Sequence, residues 1–446
     1  MPKTVETQRN RRLPLKWPQR PRGQNTNPRP PVYGQIGVLM DNHTDPIILD
    51  PEGPDIQGEI ARIRERGPVT KVVLPGGVPA WSVTDAAILK EILSGSDVSK
   101  DPHQHWPAFR NGEIGKDFPL LNWVNTRSMF TAYGSEHRRL RNFVAPAFTN
   151  RRTAALQPRI QAIADDLVTG LDAAPESHPV DIRENFAYPL PLRVINELMG
   201  VPEHLIGPLR KCVDGIFDIA LSEEAAVTNY QEMIGLLQHL VAYRRENPAE
   251  DMTSTLISHV DDPAKNFSVE ELVGTLYLTV NAGHETTVDL IDQSIYLLLT
   301  NPDHLAAALD GSLSWADVIE EVLRLEPSIA HAPLRYAVKD FVLGDVAIIE
   351  GDPILSCPAG ANRDPKIYGD SADKFDPTRK NKDHMAFGYG AHRCPGAPLA
   401  RLEAQVALPA LFQRFPHMKL AVPPDELGTV PGFIANGHDH LPVLLK

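Results

Sequence analysis

Cysteine is scarce in this 446-residue chain: Cys212, Cys357 and Cys394 stand far apart, and no C-x-x-C pair occurs. That spacing excludes a disulfide framework and a zinc-ribbon type of site, and it suits a reducing cytoplasm. No stretch approaches the roughly 20 apolar residues that a membrane-spanning helix needs. The N-terminus lacks the apolar core of a signal peptide, so Arg11-Arg12 makes a poor twin-arginine signal. Basic charge is in deficit, 44 Lys and Arg against 57 Asp and Glu, for a formal charge of -13. A field of that sign repels polyanions and argues against general affinity for nucleic acid or anionic membrane. The chain also lacks a G-x-G-x-x-G turn, and with it any dinucleotide- or flavin-binding segment of that type. The expectation is a cytoplasmic protein with neither nucleic acid nor membrane as partner.

What is present changes along the chain. Residues 1–34 carry eight Lys or Arg against one Glu, with Pro14, Pro18, Pro21, Pro28, Pro30 and Pro31, and read as a flexible basic arm ahead of a single domain over 35–446. Val69 to Leu74 and Ala80 to Val83 read as short strands about the Pro75-Gly76-Gly77 turn, and Asp85 to Leu93 as a helix. Residues 102–132 scatter Trp106, Phe109, Phe118, Leu120, Leu121, Trp123, Met129 and Phe130 among turn residues. Such a loop is too apolar for disorder and suits the cover of a cavity. From about 136 to 325 the helical period dominates, broken at Pro146, Pro189 to Pro191, Pro208, Pro248, Pro263 and Pro302. The longest pattern runs from Ser268 to Leu299, opens with the capping box Ser268-x-x-Glu271 and stops at Asn301-Pro302. It spans on the order of 50 Å. The fold class is mainly α with a minor β-rich region.

Three segments carry chemistry. Phe387-Gly388-Tyr389-Gly390-Ala391-His392-Arg393-Cys394-Pro395-Gly396 precedes a helical run from Ala397 to Phe415. Its glycines admit a flat ligand close to the backbone, and the dipole of the following helix favours a thiolate at Cys394. Ala282-Gly283-His284-Glu285-Thr286-Thr287 sets poor helix formers in the middle of the long helix. Glu321-Val322-Leu323-Arg324 places carboxylate and guanidinium on one helix face, which alone is an ordinary surface pair.

The cysteine segment resembles the ligand loop of the cytochrome P-450 family, matching Phe-Gly-x-Gly-x-His-x-Cys-x-Gly at every fixed position, and the resemblance runs from about residue 45 to the C-terminus. It implies the mainly helical cytochrome P-450 fold, with heme b (iron protoporphyrin IX) between the long central helix and the cysteine loop. Cys394 is then the axial ligand of the heme iron, its thiolate favouring O–O cleavage. By the same resemblance Phe387 packs near the sulfur and Gly396 belongs to the cofactor loop. His137 with Arg141, Arg335 and His392 meet the propionates. Glu285 and Thr286 match the acid and alcohol that deliver protons for oxygen activation in a site that excludes other water, Glu285 being the link to bulk solvent. Glu321 and Arg324, with Arg379 downstream, match the set that locks the core behind the cysteine. Tyr133-Gly134-Ser135 departs from the Asp-Pro-Pro of many relatives.

The implied activity is that of a monooxygenase, an iron-dependent oxidoreductase that inserts one atom of dioxygen into a C–H bond of a lipophilic small molecule of secondary metabolism, by hydroxylation or epoxidation. Electrons come from a ferredoxin and its reductase, docked on a basic patch of Arg138, Arg139, Lys382 and Arg393. Family analogy puts substrate contacts at Phe118, Leu120, Leu121 and Trp123, at Val280, Ala282 and Gly283, at Ile329 and Ala330, and at Phe433 and Ile434. That apolar lining leaves the particular substrate open. Altered chemistry on the same fold (oxidative coupling, nitration or peroxide-driven oxygenation) and a non-catalytic heme sensor stand as alternatives.

Overall fold

Helices make up most of the chain, as the 3.6-residue period requires. A computed structural model describes residues 45–115, 118–174, 178–217 and 223–446. The basic arm of residues 1–34, and its expected flexibility, lie outside the described residues. The long helix is Val269–Thr300. Ser268 Oγ accepts from the Glu271 N–H at 3.1 Å, and the Glu271 carboxylate accepts from the Ser268 N–H at 2.8 Å, so the capping box forms as expected. Leu272, Leu276, Val288, Ile291, Ile295 and Leu298 are fully buried along it. Each such side chain contributes about 1.5–3 kcal/mol relative to exposure. Helices Pro189–Met199, Glu223–Glu246, Trp315–Leu325 and Ala397–Arg414 pack around it, which places it at the centre of the main core. Gly283, a poor helix former, lets Ile195 pack close to the helix, since a Cβ there would lie 2.6 Å from Ile195 Cδ1 and displace it.

The β-rich region is a six-stranded mixed sheet in the order Ile47–Ile48, Val69–Leu74, Val78–Val83, Pro353–Ser356, Ala332–Ala337, Val98–Ser99. Val69–Leu74 and Val78–Val83 form the expected hairpin, with Val72 opposite Ala80. The second strand begins two residues earlier than its sequence pattern suggests. Asp85 caps the following helix, Ala86–Ser94, by accepting from the N–H groups of Ala87 and Ile88. Strand Ala332–Ala337 carries Arg335 inward from this sheet, where it is buried.

Two expectations fail. Pro208 does not end a helix but lies inside Glu203–Phe217. Leu205, Leu209, Cys212 and Val213 bury one stripe of that helix, and the stripe outweighs the one hydrogen bond a proline removes. Residues 102–132 are not one irregular loop; short helices occur at Pro102–His105, Pro107–Arg110 and Leu121–Asn125. Trp106, Phe118, Leu120 and Val124 form a second core with Leu334, Tyr336 and Phe433, and Trp106 stacks on Tyr336 at 5.0 Å. Runs this short fall below the length at which helical periodicity can be read.

Candidate active site

The cysteine loop is built by its own backbone. The Cys394 N–H donates to Phe387 O at 2.9 Å, and the Gly388 N–H to Met385 O at 2.8 Å. Gly390 sits at φ +69°, where a Cβ would stand 2.0 Å from Leu93 O, so only glycine fits. Met385 N–H is held by Asn362 Oδ1 at 2.7 Å. Behind the loop Glu321 and Arg324 are both fully buried. Arg324 donates to both Glu321 oxygens at 2.8 and 2.7 Å and to the carbonyls of Asn362, Ala372 and Lys374 at 3.0, 2.7 and 2.9 Å. Arg379 joins at 3.4 Å from Glu321, and Asp376 N–H donates to the same carboxylate at 2.9 Å. The pair that resembled a surface salt bridge is thus an interior clamp on the chain segment leading to the cysteine.

Cys394 lies just before helix Ala397–Arg414 and receives the N–H groups of Gly396 and Ala397. Burial nevertheless raises its thiol pKa, outweighing those donors and the nearby Arg141 and Arg393. The expected helix-terminal help is present but insufficient alone; a metal cation at the sulfur reverses the balance. The thiol is surrounded by protein yet reaches open space. A cavity of about 270 Å³ beside it is lined by Arg141, Phe148, Arg393, Pro395 and Arg401 among others. Phe387 packs against the main core with the Arg401 guanidinium 4.6 Å above its ring.

Basic side chains converge nearby. His137 and His392 lie with ring centroids 3.9 Å apart and their planes tilted by 35°, and Arg141 donates to Arg393 O at 2.6 Å. Arg335 is buried and pushed down to about 10 by burial. His137 is driven down to about 4 by burial and by Arg141, Arg335 and Lys100, and His392 is lowered for the same reasons. No carboxylate pairs with His137, Arg141, Arg335 or His392 among the described residues, and the buried Nε2 of His137 has no partner. Lys100, absent from the sequence-based set, belongs to this group, with its ammonium 3.6 Å over the Phe130 ring. Arg141 and Arg335 without a paired carboxylate among the described residues, with an orphaned ring nitrogen on His137, fit a bound dianion beside a thiolate.

On the long helix Ala282 is exposed although it lies mid-core, while Val280, His284 and Glu285 around it are buried. Thr286 Oγ1 donates to Ala282 O at 2.7 Å, and Ser328 Oγ donates to Thr286 O at 2.6 Å. Glu285 does not open to bulk solvent as expected. It is buried against Arg183 at 2.5 Å, and burial raises its pKa while Arg183 opposes the rise. His284 Nε2 meets Tyr188 O at 3.1 Å.

Of the expected substrate contacts, Phe118, Leu120, Leu121, Trp123, Phe433 and Ile434 share the second core. Ile329 bridges to Ala435, and the Ala330 N–H donates to Ile434 O at 2.8 Å, which ties those two segments together. Val280 belongs to the main core and Ala330 to a small separate cluster. Half of the basic docking patch is neutralised: Arg139 pairs with Glu136 and Glu271, and Lys382 with Asp317. Arg138 and Arg393 stay exposed. Sequence reasoning missed Lys100 and Arg183, which no local motif marks. It also missed Asp289 and Asp292, although acids spaced i, i+4, i+7 from Glu285 in an apolar helix are a legible signal.

The family model for Cytochrome P450 matches residues 316–435. The chain is 42% identical over 401 residues to a 2-hydroxy-5-methyl-1-naphthoate 7-hydroxylase of Streptomyces carzinostaticus, covering 90% of this chain and 98% of that protein. It is 36% identical over 420 residues to the cytochrome P450 monooxygenase PikC of Streptomyces venezuelae, covering 94% of this chain and 96% of that protein. The solved structure of CYP154A1 from Streptomyces coelicolor A3(2) superimposes with a TM-score of 0.84 at 50% identity, over 90% of this chain and all of that one.

Proposed function

The chain belongs to the cytochrome P450 family and is a heme-dependent monooxygenase, and from that premise we propose how its residues divide the work, what it oxidises and what reduces it. The observation that carries the assignment of roles is Arg141 and Arg335 without a paired carboxylate among the described residues, together with the partnerless Nε2 of His137, near the Cys394 sulfur. Bound there, heme iron supplies the binding and cleavage of dioxygen. Cys394 would ligate the iron through its sulfur, and His137, Arg141, Arg335, His392 and Lys100 would hold the two propionates of heme b. Phe387 and Gly396 shape the loop around the sulfur, and the Glu321, Arg324 and Arg379 clamp fixes that loop.

Glu285 holds the proton. A carboxyl whose affinity for protons is raised by burial is a competent donor, and Arg183 orients it. The hydroxyl proton of Thr286 is engaged by Ala282 O, so its lone pairs are left to accept a hydrogen bond from a water. Apolar packing around Val280 and Val288 keeps other water out.

No helix among the described residues is long and apolar enough to cross a membrane, and the working compartment we infer is the cytoplasm. Electrons arrive from a ferredoxin and its reductase at the exposed Arg138 and Arg393. The substrate is a sizeable apolar scaffold that takes a hydroxyl or an epoxide. One relative is named for hydroxylating a naphthoate, and an aromatic guest would suit contact with Phe118, Trp123 and Phe433, which share the second core. The test is the carbon monoxide difference spectrum of reduced protein, with Cys394→Ala as control. A red-shifted Soret band lost in the control establishes thiolate ligation; an unshifted band in folded protein overturns it.

A further inference from the structure

Glu285 is not alone on Arg183. The same guanidinium reaches Asp289 at 3.0 Å and Asp292 at 3.7 Å, so one cation faces three carboxylates spaced i, i+4, i+7 along the long helix. Asp289 and Asp292 are at most 1% exposed, and Asp289 Oδ2 and Asp292 Oδ1 have no hydrogen-bond partner. At the far end Asp292 Oδ2 accepts two hydrogen bonds from one residue, the backbone N–H of His438 at 3.0 Å and its ring Nδ1–H at 2.8 Å. The His438 ring packs 4.6 Å from Tyr296. The neighbouring backbone closes on the cluster as well, since a Cβ on Gly437 would lie 2.2 Å from Asp289 Oδ1. Among the described residues the other charged or titratable groups near Glu285 are Asp214 and Tyr188, with His284 and Arg210 beside Tyr188.

We propose that Asp292 and His438 are positioning residues for the proton of Glu285, setting through Arg183 how tightly that carboxyl is held. Three carboxylates compete for one guanidinium. Whatever draws negative charge away from Asp292 leaves more of Arg183 to Glu285, and His438 does this by donating to Asp292. The C-terminal loop thus adjusts an acid seven residues up the helix without touching substrate or cofactor. The inference rests on the reading of Glu285 as proton donor, and its test separates the two.

The heme-loaded protein is titrated while the infrared carbonyl band of the protonated Glu285 carboxyl is followed, the band being assigned by its loss in Glu285→Gln. Asp292→Asn removes a like charge and lowers the Glu285 midpoint by about one unit. His438→Phe keeps the ring against Tyr296 but removes the donor to Asp292, and it raises the midpoint. His438→Gln, which retains an N–H donor, returns it toward the parent value. A purely structural role moves both positions alike, so shifts of one sign, no shift, or no Glu285 band at any pH overturn the proposal. Product formed per electron pair is measured alongside. If Glu285→Gln leaves it unchanged, the proton-donor role of Glu285 falls, while the infrared midpoints still decide whether Asp292 and His438 share Arg183 with it.

Discussion

Replacing Arg324 by Met tests the clamp behind the cysteine loop. The substitution removes five hydrogen bonds at once: two to Glu321 and one each to the carbonyls of Asn362, Ala372 and Lys374. Each orphaned buried acceptor costs about 1–3 kcal/mol, and breaking a buried ion pair from one side costs about 3–5 kcal/mol. These overlap, because Glu321 keeps the Asp376 N–H and Arg379, so we expect a net loss of about 4 kcal/mol. Against a typical total of about 5–15 kcal/mol, that is a large share. Urea unfolding of the heme-loaded protein, followed by circular dichroism and heme absorbance, should show a lower midpoint at unchanged slope, together with reduced heme retention. Glu321→Leu added to Arg324→Met should recover little of the loss, since it also strands the Asp376 N–H and Arg379, while the carbonyls of Asn362 and Ala372 stay without Arg324 and Lys374 O keeps only Arg379 at 3.4 Å. A loss under about 1 kcal/mol for Arg324→Met would refute the reasoning.

Acid sensitivity should come in part from buried histidines. Burial pushes His284 and His331 down to about 4, so between their ordinary value and that point the unfolded chain takes protons that the folded chain refuses. Stability is therefore lost as pH falls through that window, by up to about 3 kcal/mol for each histidine. His331→Leu should flatten a plot of thermal midpoint against pH below about 6.5, and an unchanged slope would count against its buried, unprotonated state. Gly390→Ala meets a carbonyl 2.0 Å from the new Cβ in left-handed backbone, and the fraction of protein that takes up heme should drop. Thr286→Ala should fold and load normally, since its hydroxyl bonds only its own helix, but should divert reducing equivalents to peroxide, measured as peroxide released per electron pair.

What the sequence makes legible is what local chemistry writes in a short span. Ser268 and Glu271 announce the long helix to within a residue, and the Cys394 loop carries its pattern contiguously. Glu321 and Arg324 lie on one face by spacing, but nothing in four residues tells that the face points inward onto the 362–374 carbonyls. Arg183 is less legible still. It reaches Glu285 across more than a hundred residues of chain, from a π-helical turn. Lys100 comes to Arg335 through strand pairing of Val98–Ser99 with Ala332–Ala337, a long-range contact no periodicity encodes. The apolar stretch 102–132 misleads for the opposite reason, its helices being one turn long and held by Trp106, Phe118 and Tyr336.

The cluster of Lys100, His137, Arg141, Arg335 and His392 bears on how the protein is made as well as on how it works. Arg141 and Arg335, brought together with no paired carboxylate among the described residues, and the buried His137 beside them oppose the final closure of the chain around them. A dianion that binds only the closed form adds to stability with the logarithm of its concentration. Cofactor supply should thus govern the yield of folded protein, and cells starved of heme should accumulate a chain open to proteolysis at this seam between sheet and helices.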